Sequence, residues 1–191
     1  LTKVFGNYIV DPSKTTEIVK GSISNEQIKT ANVPKGVKKI GKNAFSGFKN
    51  LERVNLPNTV LEIEDEAFSE CPCLVTVNIP ESVKDTNLGK GVFKNCKQLN
   101  NIRIPSKITK IQESTFKGDK SLSNILLGSG LQNIGPKAFY GCESLKYVEI
   151  PKRVKVLETK AFHHCPNLGT IYFLGKKPKT ERKALNWKVK H

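Results

Sequence analysis

Six of the nine phenylalanines in this 191-residue chain fall at nearly equal intervals. Successive members are separated by 23, 25, 23, 23 and 23 residues, in the order Phe45, Phe68, Phe93, Phe116, Phe139 and Phe162. A period of this length indicates a solenoid, in which each coil buries its apolar side chains only by stacking on its neighbours. The chain is therefore predicted to fold as a stack of about six coils.

The residues around each phenylalanine repeat with it. A leucine follows each Phe by six residues, and two branched aliphatic residues come next at alternate positions, as in Val54 and Leu56. Alternate side chains of an extended strand point to the same side, so both are expected to point into the core. In most periods Pro follows directly, as at Pro57, and ends the strand because it has no N–H to donate. Each period is predicted to add one short strand to a parallel sheet.

The segment around each phenylalanine has a different spacing. Apolar residues recur there at i, i+3 and i+6, in the pattern A-F-x-x-C-x-x-L. This spacing favours a short helical or 3₁₀ turn. Such a turn is predicted to close each coil against the back of the sheet.

The whole unit reads L-x-x-V-x-I-P-x-x-V-x-x-I-x-x-x-A-F-x-x-C-x-x. It resembles the BspA-like, or Treponema-type, leucine-rich repeat of surface proteins from bacteria and some parasitic protists. The resemblance covers Ile28 to about Gly175. It implies a leucine-rich-repeat solenoid, an α/β-type right-handed coil with a parallel sheet on one face and helical or 3₁₀ turns on the other. It also implies a cell-surface or secreted protein with a role in adhesion.

A few positions depart from the unit. Phe48 and Asp119 stand in the cysteine column, and Gly128 stands in the proline column. One period also has two extra residues, within the stretch 84–91. This stretch is polar and contains glycine, which suits a surface loop. Leu88 within it is predicted to take the inward place that Ile63 and Ile111 hold in the adjacent coils.

The ends of the chain keep the register less well. Residues 1–27 are predicted to form a small β-rich N-terminal cap, followed by the repeats over 28–175. Residues 176–191 are basic and are predicted to be a C-terminal cap or the start of a following segment. Because proteins with this repeat are commonly longer, we expect the chain to be a fragment.

The net charge of the chain is +15, from 32 Lys and Arg against 17 Asp and Glu. Such an excess is compatible with a well-solvated surface or with an acidic partner. One hypothesis is therefore a polyanion binder, for which a heparin-like glycan, a nucleic acid or an anionic lipid would be the partner. Its binding would depend steeply on salt concentration.

Four of the five cysteines share one inward column: Cys71, Cys96, Cys142 and Cys165. The odd total argues against a fully paired disulfide framework. Buried Cys behaves as a small apolar residue, so a ladder of buried thiols is predicted.

Catalytic and metal-binding patterns are absent from the sequence. It contains no G-x-S-x-G, P-loop or G-x-G-x-x-G motif. His163-His164-Cys165 looks like half of a metal site, but a second ligand pair at zinc spacing is missing. We expect no enzyme activity, no cofactor and no metal.

The outward positions of the predicted strands are the remaining candidate site. In a chain rich in Lys they contain none, and they are rich in Asn, Thr, Arg and Tyr. Asn is usually depleted from strands, so its recurrence has two explanations, a ladder of stacked amides or a recognition surface. The candidate ligand-binding residues are Arg53, Asn55, Asn78, Asn101, Arg103, Leu126, Tyr147, Glu149 and Tyr172.

The function predicted from the sequence is therefore recognition or adhesion by a monomer. The resemblance implies a host or matrix protein, or a glycan, as the partner. The alternatives are the polyanion binder and a purely structural spacer. A fold alone is weak evidence for any of these functions.

Overall fold

The computed structural model describes residues 16–23, 27–83 and 88–185, together with the backbone of two short strands, β1 (Lys3–Val4) and β2 (Asn7–Tyr8). These residues form a β-solenoid of about seven coils, one more than the phenylalanine column predicts. The seventh coil is missed because Leu185, and not Phe, stands one period after Phe162. Leu185 packs against the core at that place.

The longer strands of successive coils pair in parallel, 23 residues apart in most coils, as the alternating pattern predicts. Ala31, for example, pairs with Val54, which pairs in turn with Val77. The strands are β4 (Thr30–Asn32), β6 (Arg53–Asn55), β8 (Thr76–Val77), β9 (Asn101–Arg103), β11 (Asn124–Leu126), β13 (Tyr147–Ile150) and β15 (Thr170–Phe173). Their hydrogen-bonded segments join β4-β6-β8, then β9-β11, then β13-β15, and the first segment continues through β2 to β1, which is antiparallel to β2. We call these strands the long-strand sheet.

A second parallel sheet of two-residue strands follows the proline corner of each coil. It contains β3 (Glu17–Ile18), β5 (Lys39–Ile40), β7 (Glu62–Ile63), β10 (Lys110–Ile111), β12 (Asn133–Ile134), β14 (Val156–Leu157) and β16 (Lys179–Thr180). Leu88 is fully buried and forms a parallel bridge with Ile63. The prediction for Leu88 is thus confirmed, while residues 84–87 of the inserted stretch lie outside the described residues.

The side of each coil that contains the phenylalanine was predicted to be helical or 3₁₀, and that prediction is wrong. Among the described residues there is no helix, and this side consists of consecutive turns. In the first such segment the Ala44 N–H donates to the Gly41 carbonyl within its own coil, at 3.1 Å. The Phe45 N–H instead donates to the Ala67 carbonyl of the next coil, at 2.8 Å. Because every second N–H points across to the neighbouring coil, the backbone cannot make the i→i−4 bonds of a helix.

Two residues per coil on this side have a left-handed backbone, four positions apart. In the first coil they are Asn43 (φ 56°) and Gly47 (φ 79°). Each stands third in a four-residue turn, where a type II turn requires positive φ. Glycine and asparagine adopt this conformation most easily, and other coils have Asn95, Gly118 and Gly141 at the Gly47 position.

The core is a set of side-chain ladders that run along the stack. The six phenylalanine rings are fully buried and stack with centroids 4.9 to 5.7 Å apart. All five cysteines are thiols, and the four of the column are buried. Each column thiol donates to the carbonyl of the column Phe in the preceding coil, for example from Cys71 to Phe45 at 3.1 Å. A small apolar residue with a weak donor therefore suits this position.

The two ends of the stack continue both sheets. β2 pairs with β4, β3 pairs with β5, and β16 pairs with β14. The division into a cap over 1–27 and a separate segment over 176–191 stays a prediction, and residues 186–191 lie outside the described residues.

Candidate binding surfaces

The nine residues predicted to bind a ligand all lie on the outward face of the long-strand sheet and are exposed. The pairing of strands places them in two columns, as the alternation predicts. Arg53 is aligned with Thr76, and Asn101 with Asn124, in the first column. Their role in binding stays a prediction.

The asparagines of this face have structural partners. The Asn55 side-chain amide donates to Asn32 Oδ1 at 2.7 Å, one step of the amide ladder. Asn78 stands where β8 has already ended, and its side chain bonds to both the N–H and the carbonyl of Leu56, at 2.9 and 2.8 Å. Asn101 donates to its neighbour Asn100 at 2.7 Å. Asn78 therefore completes backbone hydrogen bonding beside β8, whereas Asn55 and Asn101 bond to neighbouring asparagine side chains.

Arg103 is held by a carboxylate of the preceding coil. Its guanidinium lies 3.0 Å from Glu81 Oε1, and both side chains are largely exposed. The other Glu81 oxygen accepts from Ser106 Oγ at 3.3 Å. An exposed pair of this kind contributes little to stability, but it fixes the direction of the Arg103 side chain on the outward face.

The largest exposed apolar groups of the outward face lie toward its C-terminal end. Leu126, Tyr147 and Tyr172 retain 60%, 50% and 53% of their accessible surface. Tyr147 pairs with Thr170 and Glu149 pairs with Tyr172, so the two tyrosines are diagonal neighbours on adjacent strands. β11, with Leu126, contacts β13. We call these three residues the aromatic patch.

An open groove of about 840 Å³ lies on the turn side of the last coils. Tyr140 and two adjacent histidines form its aromatic wall, with the Tyr140 and His164 rings edge to face at 4.9 Å and the two histidine rings 4.3 Å apart. Lys117 Nζ lies 5.8 Å from the centre of the Tyr140 ring. Burial lowers the pKa of His163, and the neighbouring His164 and lysines add to this effect, which favours the neutral form of the ring.

The histidine pair does not have the arrangement of a metal site. Cys165 turns its thiol into the core and donates to the Phe139 carbonyl at 3.0 Å. Within the described part of the chain, no three or more His, Cys, Asp or Glu side chains are grouped closely enough to hold a metal ion. In the same residues, no helix is long and apolar enough to cross a membrane.

A cleft of about 540 Å³ brings together six cations of two successive coils. It is lined by Lys152, Arg153, Lys155, Lys176, Lys177 and Lys179, together with Gln132, Val154 and Pro178. We call these six cations the basic corner. The basic tail is evident from the sequence, but its proximity to residues 152–155 was not predicted, although the two segments are one 23-residue period apart.

Two parallel sheets, inward aliphatic ladders and a 23-residue register define a leucine-rich-repeat solenoid, a fold that typically serves as a binding scaffold. The chain belongs to the BspA-type leucine-rich repeat family. The family model, described as a BspA type leucine rich repeat region, matches residues 6–87 and 86–186 in six copies. No curated protein matches the chain by sequence.

Solved structures share the fold. A leucine-rich repeat protein from Bacteroides ovatus has 24% sequence identity and a TM-score of 0.80, over 91% of this chain and 50% of that protein. The T. pallidum leucine rich repeat protein has 24% identity and a TM-score of 0.62, over 92% of this chain and 72% of that protein. The chain thus spans half the length of the Bacteroides protein, and at this identity the likeness concerns the fold alone.

Proposed function

We propose that this chain is a non-enzymatic recognition module that binds a protein or glycan partner through the outward face of its long-strand sheet. The module would act at the cell surface or as part of a secreted protein, and the family resemblance supports this part of the proposal. The observation that carries the proposal is the aromatic patch, Leu126, Tyr147 and Tyr172, exposed on neighbouring strands.

The composition of the patch supports binding. Tyrosine and arginine are enriched among the residues that contribute most to binding energy, since each combines a large contact area with a directed polar group. Arg103 pairs in register with Leu126, and Glu149 pairs with Tyr172, so charged groups border the apolar ones. This is the usual arrangement of an interface, with an apolar centre and a polar rim.

The scaffold beneath the patch supports the same proposal. Val148 and Ile150, on the inward side of β13, are almost fully buried. Side chains that are presented from a packed sheet lose little additional conformational freedom on binding, which favours affinity. Asn55, Asn78, Asn101 and Arg103, in contrast, already have hydrogen-bond or ion-pair partners within the chain, and we assign them to the rim.

The experiment is a binding screen of the full chain against a glycan array and a panel of extracellular-matrix proteins. Every hit is measured again with the double variant Tyr147→Ala/Tyr172→Ala. We expect a loss of about 2 kcal/mol or more, or roughly 30-fold in affinity, that persists at all salt concentrations. The matched control is Thr30→Ala/Thr76→Ala, which truncates two residues of the same face at its other end.

The outcome decides between the hypotheses. Hits that the tyrosine variant leaves unchanged, and that disappear when salt is raised, would refute binding through the aromatic patch. An equal loss from the threonine control would show that the tyrosines have no special role.

A further inference from the structure

Within the part of the chain that the structure describes, the positive charge of the basic corner has no carboxylate partners, whereas several lysines and an arginine elsewhere form ion pairs. All six of its cations are exposed, and none of the described residues that line the cleft is a carboxylate. Seven ion pairs occur among the described residues, and none of them includes a basic-corner residue. Glu158 pairs with Lys110 at 2.9 Å, and Glu181 accepts from the Thr159 N–H and hydroxyl at 3.0 Å. The carboxylates of the adjoining strands are therefore directed elsewhere.

The coils just before the last two lack this concentration, although the first coil has lysines, Lys35 and Lys38, at the positions of Lys152 and Lys155. The positions that correspond to Lys152 and Arg153 are Ser129 and Gly130 one coil earlier, and Asn58 and Thr59 in the second coil. The two basic coils also approach each other closely. A Cβ added at Gly175 would come within 2.8 Å of the Lys152 Cα, so glycine is required for the coils to meet at this point.

The lining favours one class of polyanion. Proteins that bind single-stranded nucleic acid combine cations with aromatic rings on which bases stack, and among the described residues none that lines this cleft is aromatic. Binding to a lipid surface is strengthened by apolar side chains that enter the bilayer, and the two apolar residues of this lining, Val154 and Pro178, are buried. Neighbouring strands of a sheet are about 4.8 Å apart, so the cations form two adjacent rows along the cleft. A narrow chain with closely spaced anionic groups fits this arrangement.

We propose that the basic corner is a binding site for a linear sulfated glycan, distinct from the aromatic patch. The sulfate groups accept charge-assisted hydrogen bonds from the lysine and arginine side chains of both coils. Binding releases counterions from the glycan and therefore weakens as salt is raised.

The test measures binding of a labelled heparin oligosaccharide by fluorescence anisotropy over a series of NaCl concentrations. The variant Lys152→Gln/Lys155→Gln/Lys177→Gln removes three basic-corner charges. The matched control Lys35→Gln/Lys38→Gln/Lys49→Gln removes three exposed lysine charges from the first coil. We expect the basic-corner variant to bind at least about tenfold more weakly, with a salt slope lower by about 2 to 3, and the control to change affinity less than about twofold.

Further variants make the result specific. Arg153→Gln/Lys176→Gln/Lys179→Gln should reproduce the loss with the other three cations. Tyr147→Ala/Tyr172→Ala should keep full heparin binding, which separates this site from the proposed protein or glycan site on the sheet. Circular dichroism and Tm verify that each variant is folded. Deletion of residues 176–191 is unsuitable, because it would remove β16 from its sheet.

Two results would overturn the proposal. Equal losses in the basic-corner variant and in the first-coil control would mean that only the total charge matters. Tighter binding of single-stranded DNA or of phosphatidylserine vesicles than of heparin, with the same dependence on the basic corner, would assign the site to another polyanion.

Discussion

Asp119 interrupts the cysteine column, and its replacement by cysteine should change how stability depends on pH. The side chain is fully buried one coil away from Cys96 and one from Cys142. Its Oδ1 accepts the Cys96 N–H at 2.9 Å, and its Oδ2 has no hydrogen-bond partner among the described residues. Burial raises the pKa of the Asp119 carboxyl well above its ordinary value, and the Cys96 N–H opposes this only in part. The carboxyl is therefore neutral in the folded protein to a higher pH than in the unfolded chain.

The sign of the effect follows from proton binding. In the unfolded chain an aspartate ionises near pH 4, at its ordinary pKa of about 3.9, while the folded protein still holds the proton. The folded state then binds more protons, so the free energy of unfolding falls as pH rises above about 4. The fall is about 1.4 kcal/mol per pH unit and continues until the folded carboxyl also ionises.

The substitution Asp119→Cys removes this contribution. Near pH 4 the loss of the hydrogen bond from Cys96 lowers the stability of the variant by about 1 kcal/mol. The removal of a buried oxygen without a partner raises its stability by about 1–3 kcal/mol. The variant should therefore equal or slightly exceed the parent there. Its advantage should then grow by about 1.4 kcal/mol per pH unit through the window in which the parent loses stability.

Urea titrations of both proteins at several values between pH 4 and pH 7 measure these free energies. The reverse change, Cys142→Asp, puts the same carboxyl one coil further along and should lower stability with a steeper fall as pH rises. Parallel pH profiles for the parent and Asp119→Cys would refute the reasoning, because they would mean that Asp119 ionises alike in the folded and unfolded chains.

Two further predictions concern the ladders and the turns. Thiol titration should detect five groups after denaturation and only Cys73, the half-buried one, in the folded protein. Burial raises the pKa of Cys71 and Cys165 to about 12, which suppresses the reactive thiolate. Rapid labelling of the column cysteines in the folded protein would contradict this prediction. Gly47→Ala should lower the free energy of unfolding by about 1–2 kcal/mol through backbone strain alone. The reason is that φ of Gly47 is 79°, while an added Cβ meets no atom within 4 Å. An unchanged urea midpoint would show that the strain is absent.

The sheets were predictable because their signal is a strict alternation repeated at a fixed period. Val54 and Val148 point inward and their neighbours point outward in every coil, and the period alone puts Leu88 beside Ile63 despite the insertion. The turn side was mistaken for a helix because a spacing of apolar residues at i, i+3 and i+6 suits a helix and a series of consecutive turns alike. The distinguishing signal was the glycine or asparagine two residues after the phenylalanine in four of the six coils, as at Gly47 and Asn95, because both residues disfavour a helix and readily adopt the positive φ of a type II turn.

The outward face was predictable for the same reason, but the roles of its residues were not. Alternation identifies which side chains are exposed, whereas the partners of Asn78 and Arg103 depend on where individual strands end. Asn78 bonds to the backbone of Leu56 because β8 stops at Val77. A sequence pattern does not contain that information, so the asparagines and the tyrosines of this face looked equivalent until the hydrogen bonds separated them.

The basic corner shows how a repeat relates distant residues. Lys152 and Lys176 belong to segments that the sequence analysis treated as a repeat and a tail, yet β14 and β16 pair in register and make the two segments neighbours. Tyr147 and Tyr172 belong to the same pair of coils, so the apolar and the cationic candidate sites both concentrate at one end of the described stack. Because binding at the aromatic patch would depend on apolar contact and binding at the basic corner on charge, the salt dependence of affinity distinguishes the two sites. A partner that uses both should lose only part of its affinity in high salt, and the remainder should depend on the two tyrosines.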